Sequence, residues 1–311
     1  MGKRLRRLER GGTLALVGPS GSPRSAEQAI LAQAWREGLG FRVKRAPGTT
    51  EIYGYLNGPD SLRASEFNAA YNDPEVDALV CLKGGYGTPR ILDRLDYAAM
   101  REDPKMIAGY SDITGIHLAV SRLCGIPTVH GPMPASDFLP EADPESLKAW
   151  LSVLTCSGPV GILRDPPGSP PRRTLRGGRA RGTIIGGNLS LVAALMGTPY
   201  EIDTRGKILF LEDIGEAPYR IDRMLSQLRL SGKLDECAGI LLGDWKDCES
   251  APGKKSLSLD EVVRDILLPC GKPLMSGIRA GHCSPTLSLP LGLDAVMDAD
   301  ALSIEITESL F

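Results

Sequence analysis

Histidine is scarce in this chain: there are three in 311 residues, at positions 117, 130 and 282. Chemistry that needs an imidazole base has three places to find one. Neither sign of charge is in excess, since 36 Lys and Arg against 38 Asp and Glu leave a net charge of −2. Nucleic acid and membrane surfaces are not expected as partners, because both attract a net basic field. Metal-ligand spacing is missing as well. No Cys-x-x-Cys or His-x-x-x-His occurs, and neither His282-Cys283 nor the run Asp244 to Cys248 makes up for it, so no metal is expected. The cysteines at 81, 124, 156, 237, 248, 270 and 283 are odd in number and scattered through apolar runs. That is the pattern of reduced thiols in a cytoplasmic protein, not of a disulfide framework.

Long apolar runs are also lacking. After the basic start at Lys3, Arg4, Arg6, Arg7 and Arg10, the stretch Thr13 to Val17 stops at Gly18-Pro19, short of the roughly 7–15 residues of a signal-peptide core. The longest charge-free stretch, Gly182 to Tyr200, is broken by Gly186-Gly187-Asn188 and Pro199. Only Leu189 to Met196 is left as an apolar helix, against the ~20 residues a bilayer needs. A soluble chain is expected.

Glycine and proline are abundant, at 36 and 24 residues. Their share is above average usage but below the roughly 25–30% of disordered chains, and 42% hydrophobic residues suffice for a core. A single core stops growing at about 250–300 residues, so two domains are expected. The first half alternates short apolar strands with helices. Strands are expected at Thr13 to Val17, Phe41 to Lys44, Ala78 to Leu82, Met106 to Gly109 and Pro127 to His130. Helices are expected from Ser25, with a capping-box-like Gln28, and over Ser61 to Tyr71, Pro89 to Leu95, Ile113 to Leu123 and Pro144 to Leu154. This alternation predicts an α/β domain with a doubly wound parallel sheet over residues 1–160, binding ligands at the carboxyl ends of its strands. Residues 161–181, rich in Pro and holding Arg172, Arg173, Arg176, Arg179 and Arg181, read as a linker. Residues 182–311 read as a smaller α+β domain.

Three segments at predicted strand ends carry candidate chemistry. Lys83-Gly84-Gly85-Tyr86-Gly87 follows a strand, and its glycines let backbone N–H groups approach a ligand. It matches neither G-x-G-x-x-G nor a P-loop, and Gly18 to Ser22 lacks a P-loop lysine, so no nucleotide cofactor is called for. In Gly109-Tyr110-Ser111-Asp112 a strand turns abruptly into a helix. Ser111 there is either an N-cap or a nucleophile, with the Asp112 N–H facing what it attacks. Lys207 to Glu216 is an apolar strand ending in acids, and spacing does not choose among Glu212, Asp213 and Glu216 as the carboxylate that orients a histidine. Of the histidines, His117 lies within a helix and His130 at a strand end. His282, in a turn-rich loop among small residues, is the best placed as a base.

Taken together, these segments resemble the LD-carboxypeptidase family, cytoplasmic serine peptidases of murein recycling, from about Gly12 to Thr307. The motifs run in order: Val17 to Pro23, Gly84-Gly85-Tyr86-Gly87 with Arg90, Gly109 to Asp112, His130 to Met133, Gly186 to Leu189, Leu211 to Ile214 with Arg220, and Gly281-His282. The resemblance implies a flavodoxin-like N-terminal domain supplying the nucleophile Ser111. A C-terminal domain would supply the carboxylate Glu212 and the base His282. It further implies an oxyanion hole at the N–H groups of Gly85 and Asp112, substrate contacts at Gly84, Tyr86 and Arg90, and a homodimer. The implied substrate is the murein tetrapeptide, cut between meso-diaminopimelate and terminal D-Ala. Lys83 departs from the arginine usual before these glycines. A microcin-immunity branch of the same family cleaves aminoacyl-nucleotide conjugates and places an aromatic residue from the interdomain loop on the adenine. Residues 157–199 of this chain contain no Phe, Tyr, Trp or His, which favours the peptide. A non-catalytic binder with Ser111 as a helix cap is the reading from a different class.

Overall fold

The structure is a computed structural model, and it describes residues 5–139, 141–251 and 253–311. In chain order the first five strands are β1 (Thr13–Val17), β2 (Arg42–Arg45), β3 (Ala78–Cys81), β4 (Met106–Gly109) and β5 (Thr128–His130). They pair in parallel in the order 2-1-3-4-5 reported along the sheet, which is the flavodoxin-like arrangement. β1, β3 and β4 are buried along their whole length. Strands of a parallel sheet have both faces covered by crossover helices, and this is why they read as unbroken apolar runs. The flanking helices include Ala26–Glu37, Asp60–Asn72 and Thr114–Cys124. Ser25 caps the first of these, accepting from the Gln28 N–H.

The remaining strands are β6 (Pro159–Ile162), β7 (Arg173–Arg176), β8 (Arg179–Asn188), β9 (Ile208–Ile214), β10 (Gly239–Lys246), β11 (Leu274–Ser276), β12 (Leu289–Leu291), β13 (Asp294–Asp298) and β14 (Ser303–Ser309). All but β12 form a second sheet in the order β6-β14-β13-β8-β9-β10-β11-β7. Its centre, β8 to β11, is parallel and its flanks are antiparallel. Helices Leu189–Ala194, Pro218–Leu230 and Leu259–Ile266 make the crossovers, the last opening on a capping box between Ser258 and Glu261.

Three features differ from the sequence expectations. Pro89 to Leu95 is not an α-helix but two 3₁₀ turns, Thr88–Arg90 and Leu92–Arg94, followed by a helix, Tyr97–Glu102, capped by Asp96. Residues 161–181 are not a bare linker. They carry β7 and the start of β8, and the Arg172 guanidinium forms a two-pronged pair with Asp165, its Nε 2.6 Å from Oδ2. Last, β12 leaves the second half of the chain to pair antiparallel with β5, so the C-terminal region supplies an edge strand to the first sheet. One apolar cluster runs through both sheets, from Leu14 and Val80 to Phe210 and Leu241.

Candidate active site

Ser111 stands where β4 gives way to a 3₁₀ turn, Ser111–Ile113, and then to helix Thr114–Cys124. Its φ is 63°, in the left-handed region that costs a residue with a Cβ roughly 1–2 kcal/mol. The cap positions of the turn and the helix fall on Tyr110 and Ile113, neither with a side-chain cap hydrogen bond. Ser111 therefore holds a strained backbone without capping the helix that follows. That is the local geometry of a nucleophile elbow.

The glycine loop lies directly against this serine. A Cβ placed on Gly84 would come within 2.9 Å of Ser111 Cβ and 3.1 Å of its Oγ. Loop and elbow are fastened through Asp112, whose side chain is buried. Its Oδ2 accepts from the Ser20 hydroxyl at 2.6 Å and from the Thr88 N–H at 2.8 Å, while the Thr88 hydroxyl donates to its carbonyl at 2.6 Å. Burial pushes the Asp112 carboxyl up, against these hydrogen bonds. Asp112 follows Ser111 in the chain, and Gly85 follows Gly84, the residue that lies against the serine.

The carboxylate and the imidazole expected at the site come from the second sheet. Glu212 lies in β9 with its side chain fully buried, and its Oε2 is 2.7 Å from His282 Nδ1. His282 sits on the loop after β11, which runs along the end of β10 through Ile278 N–H to Leu242 O and Asp244 N–H to Ala280 O. This loop crosses close over Glu212: Gly281 has φ 116°, and a Cβ there would lie 2.6 Å from Glu212 Oε2. Burial works to lower the His282 pKa, but the hydrogen bond and charge of Glu212 outweigh it and hold the pKa above 6.5. The His282 ring lies 4.8 Å from the ring of Tyr110, the residue before Ser111. No hydrogen bond joins Ser111 to His282 among the described residues. Such bonds are often long in a ligand-free site and tighten with substrate.

The three acids left open by the sequence have separate uses. Asp213 accepts from Asn188 Nδ2 at 2.9 Å and from the Ser190 N–H and hydroxyl, which anchors helix Leu189–Ala194. Glu216 pairs with Arg220 at 3.3 Å, and Glu212 alone meets His282. The other two histidines are core residues. His117 Nε2 is 2.8 Å from Gly109 O, and burial lowers its pKa to about 4. His130 is fully buried against Tyr110 and Phe210.

Of the expected substrate contacts, Tyr86 is half exposed beside the glycine loop, and Arg90 pairs with Asp60 at 2.9 Å. Lys83 donates to Ser22 O at 3.2 Å. Two groups went unassigned in the sequence. The Tyr110 hydroxyl donates to Asp137 Oδ1 at 2.8 Å, and Asp137 Oδ2 accepts from Met133 N–H, so Asp137 braces the ring that His282 packs on. Tyr110 lies inside the Gly109 to Asp112 motif, but nothing local marks Asp137. Surface cavities of about 490 and 430 Å³ have linings that include none of Ser111, Glu212 and His282. Chemistry, not concavity, marks this site.

Comparison with known proteins agrees with this geometry. Residues 14–131 match the LD-carboxypeptidase N-terminal domain, and residues 181–297 match the LD-carboxypeptidase C-terminal domain. The chain belongs to the LD-carboxypeptidase family. It is 40% identical over 292 residues to the probable murein peptide carboxypeptidase of Bacillus subtilis, covering 94% of this chain and 90% of that one. Among solved LD-carboxypeptidase folds it resembles MccF in complex with glutamyl sulfamoyl guanosine, with TM-score 0.89, 25% identity and 99% of both chains covered. It also resembles the muramoyltetrapeptide carboxypeptidase of Oxalobacter formigenes, with TM-score 0.82, 27% identity, and 94% of this chain and 97% of that one covered. No helix among the described residues is long and apolar enough to cross a membrane.

Proposed function

We propose that this LD-carboxypeptidase family member releases terminal D-Ala from murein tetrapeptide by serine acyl transfer. The observation that carries the reading is the buried Glu212–His282 pair at 2.7 Å, set against the residue next to a strained Ser111. His282 takes the Ser111 proton, and Ser111 Oγ attacks the carbonyl of the L-centre of diaminopimelate. The N–H groups of Gly85 and Asp112 hold the oxyanion. His282 then protonates the leaving amine of D-Ala, and water hydrolyses the acyl-serine by the same route. Glu212 holds the imidazole with Nδ1 protonated and offsets the charge it gains. In this reading residues 1–160 bring the nucleophile, residues 182–311 bring acid and base, and the segment 161–181 joins them. Work in the cytoplasm in peptidoglycan recycling, as a homodimer, belongs to the same reading and rests on the family resemblance.

The aromatic-free stretch 157–199 supports a peptide over an aminoacyl nucleotide. The test is to incubate the protein with murein tetrapeptide and with an aminoacyl adenylate analogue and identify the products by mass. Release of D-Ala, lost in Ser111→Ala together with labelling by a fluorophosphonate, is the expected result. Cleavage of the adenylate with the tetrapeptide untouched would overturn the reading, and persistent labelling of Ser111→Ala would remove the nucleophile.

A further inference from the structure

His282 rides on the loop between β11 and β12. Most of the bonds that shape this loop are its own or reach the second sheet. Leu287 N–H donates to Arg279 O at 2.6 Å, and the Arg279 guanidinium reaches on to Ser284 O and Pro285 O at 2.9 and 3.1 Å. Among the described residues, one hydrogen bond ties residues 277–287 to the half of the chain that carries Ser111. Thr286 N–H donates to Ser146 Oγ at 2.8 Å, and both residues are buried. The Thr286 hydroxyl has its shortest contact, 3.3 Å, with the carbonyl of Gly281, the residue before His282. The far end of this path is held firmly. Ser146 lies in the first turn of helix Pro144–Leu154, whose N-cap is Asp143. Asp143 Oδ2 accepts from the Ser146 N–H at 2.7 Å and from its hydroxyl at 2.6 Å. The helix is seated by its fully buried Trp150, whose ring centre lies 4.2 Å from the guanidinium of Arg36 on helix Ala26–Glu37 and 5.9 Å from the ring of Phe138.

We infer that Ser146 is a positioning residue: through Thr286 it fixes the His282 loop against the half of the chain that holds Ser111. This rests on Ser111 and His282 acting as nucleophile and base, as proposed above. Glu212 and β10 orient the imidazole, but they travel with the second sheet and leave its distance from Ser111 open. Pairing of β12 with β5 starts only at Leu289, so the Ser146 bond acts between that strand and the base. Capping does not explain the Ser146 hydroxyl. Asp143 already takes the Ser146 N–H directly, so the helix start is satisfied without the hydroxyl. With its proton given to a carboxylate, the Ser146 oxygen presents its lone pairs to Thr286, and hydrogen bonds in such a chain strengthen one another. Removing the hydroxyl leaves the Thr286 N–H buried without a partner, which costs more than the bond itself, so the loop shifts to find another acceptor. A shift of about 1 Å at a reacting atom lowers a rate by about 10²-fold.

The experiment measures kcat, KM and the acid limb of D-Ala release, with thermal melting, in the wild type, Ser146→Ala, Thr286→Val and Asp143→Asn. Asp96→Ala, which uncaps helix Tyr97–Glu102 away from this loop, is the control for lost stability alone. Ser146→Ala is expected to lower kcat by about 10- to 100-fold with KM little changed. Its acid limb stays in place, because Glu212 stays with His282. Thr286→Val cuts the same path at its other joint without touching the helix and lowers kcat in the same direction; it decides alone if Ser146→Ala does not fold. Asp143→Asn keeps an oxygen for the Ser146 N–H and hydroxyl and retains most of kcat. Asp96→Ala loses melting temperature but not kcat. Wild-type kcat in both Ser146→Ala and Thr286→Val, an equal fall in Asp96→Ala, or an acid limb that moves with Ser146→Ala overturns the positioning role while leaving the carboxypeptidase reading in place. D-Ala release that persists in Ser111→Ala overturns that reading and the positioning role with it.

Discussion

Substituting alanine for Gly84 separates a steric role of the glycine loop from a binding role. Gly84 is outside the left-handed region, unlike Gly85 at φ 113° and Gly87 at φ 140°, so alanine brings no backbone strain of its own. It brings one methyl group, 2.9 Å from Ser111 Cβ, 3.1 Å from Ser111 Oγ and 3.3 Å from Met133 Cε. Carbon atoms rest at about 3.5–4.0 Å, so the closest contact has to open by roughly 0.6 Å. Neither side yields freely. Gly84 O accepts from Gly21 N–H at 3.1 Å, and Asp112 anchors the elbow to Ser20 and Thr88. Overpacking of this kind costs about 1–3 kcal/mol, which lowers Tm by several degrees. A displacement of about 1 Å at a reacting atom costs about 10²-fold in rate. Gly84→Ala is therefore expected to lower kcat by about 10- to 100-fold with KM little changed.

The assay is initial-rate release of D-Ala from the tetrapeptide, with Tm measured alongside. Gly158→Ala is the control, because a Cβ there meets nothing within 4 Å and its φ is not in the left-handed region. A Gly84→Ala variant with wild-type kcat would refute the placement of Ser111 against the loop. A rise in KM at constant kcat would make Gly84 a substrate contact instead.

The same geometry sets the pH dependence and the outcome of two substitutions. With its pKa held above 6.5 by Glu212, His282 is neutral only on the alkaline side, so kcat/KM falls as pH drops through that raised value. Glu212→Gln removes the strongest influence opposing burial at His282 and leaves only the weaker charges of Asp213 and Asp137, so the acid limb moves to lower pH while kcat drops by about 10⁴-fold, as for the equivalent change in a serine-protease triad; a limb that stays in place argues against the pair. Ser111→Gly removes the strain at φ 63°, so it is expected to be more stable than Ser111→Ala by about 1–2 kcal/mol in chemical denaturation, both being inactive; equal stabilities would mean that the elbow stores no strain.

How legible each part was depended on whether its cause is local. β1, β3 and β4 announce themselves because both their faces are buried and every residue is apolar or small. β7, with sequence Arg-Thr-Leu-Arg and mostly exposed, gives no such signal, and its pairing partner β11 is about a hundred residues away. β12 contains Pro290, which reads as a break, yet proline is tolerated on an edge strand, and β12 is the edge of the first sheet. At the site, the turn at Ser111 was visible as a strand-to-helix switch, but residue chemistry alone left Glu212, Asp213 and Glu216 equivalent. What separates them is the company each keeps. Asn188 and Ser190 occupy Asp213, Arg220 occupies Glu216, and the loop crossing at Gly281 brings His282 to Glu212. Asp137 reaches Tyr110 across 27 residues, a contact no spacing rule encodes.

In the proposed mechanism, electrostatics decides which of the three histidines serves as the base. All three lie near β4 or β5, and their rings are linked through Tyr110: His117 and His130 are 6.4 Å apart, His130 and Tyr110 5.7 Å, Tyr110 and His282 4.8 Å. Burial penalises the charged form of each. For His117 and His130 no carboxylate opposes that penalty, so both pKa values fall below the ordinary range and these rings stay neutral as core side chains. At His282 the same penalty is overcome by a buried carboxylate 2.7 Å away, supplied by β9 of the same sheet. In the proposed reaction, a proton leaving Ser111 therefore has one stable destination among the three. The Glu212–His282 pair belongs wholly to the second sheet and Ser111 to the first, so what brings them together is the joining of the sheets, by β12 on β5 and by the Asn188 N–H on Thr114 Oγ1 at 3.0 Å. Loosening that junction is therefore expected to lower kcat while the acid limb set by the Glu212–His282 pair stays in place, and a limb that moved with it would refute this division of labour.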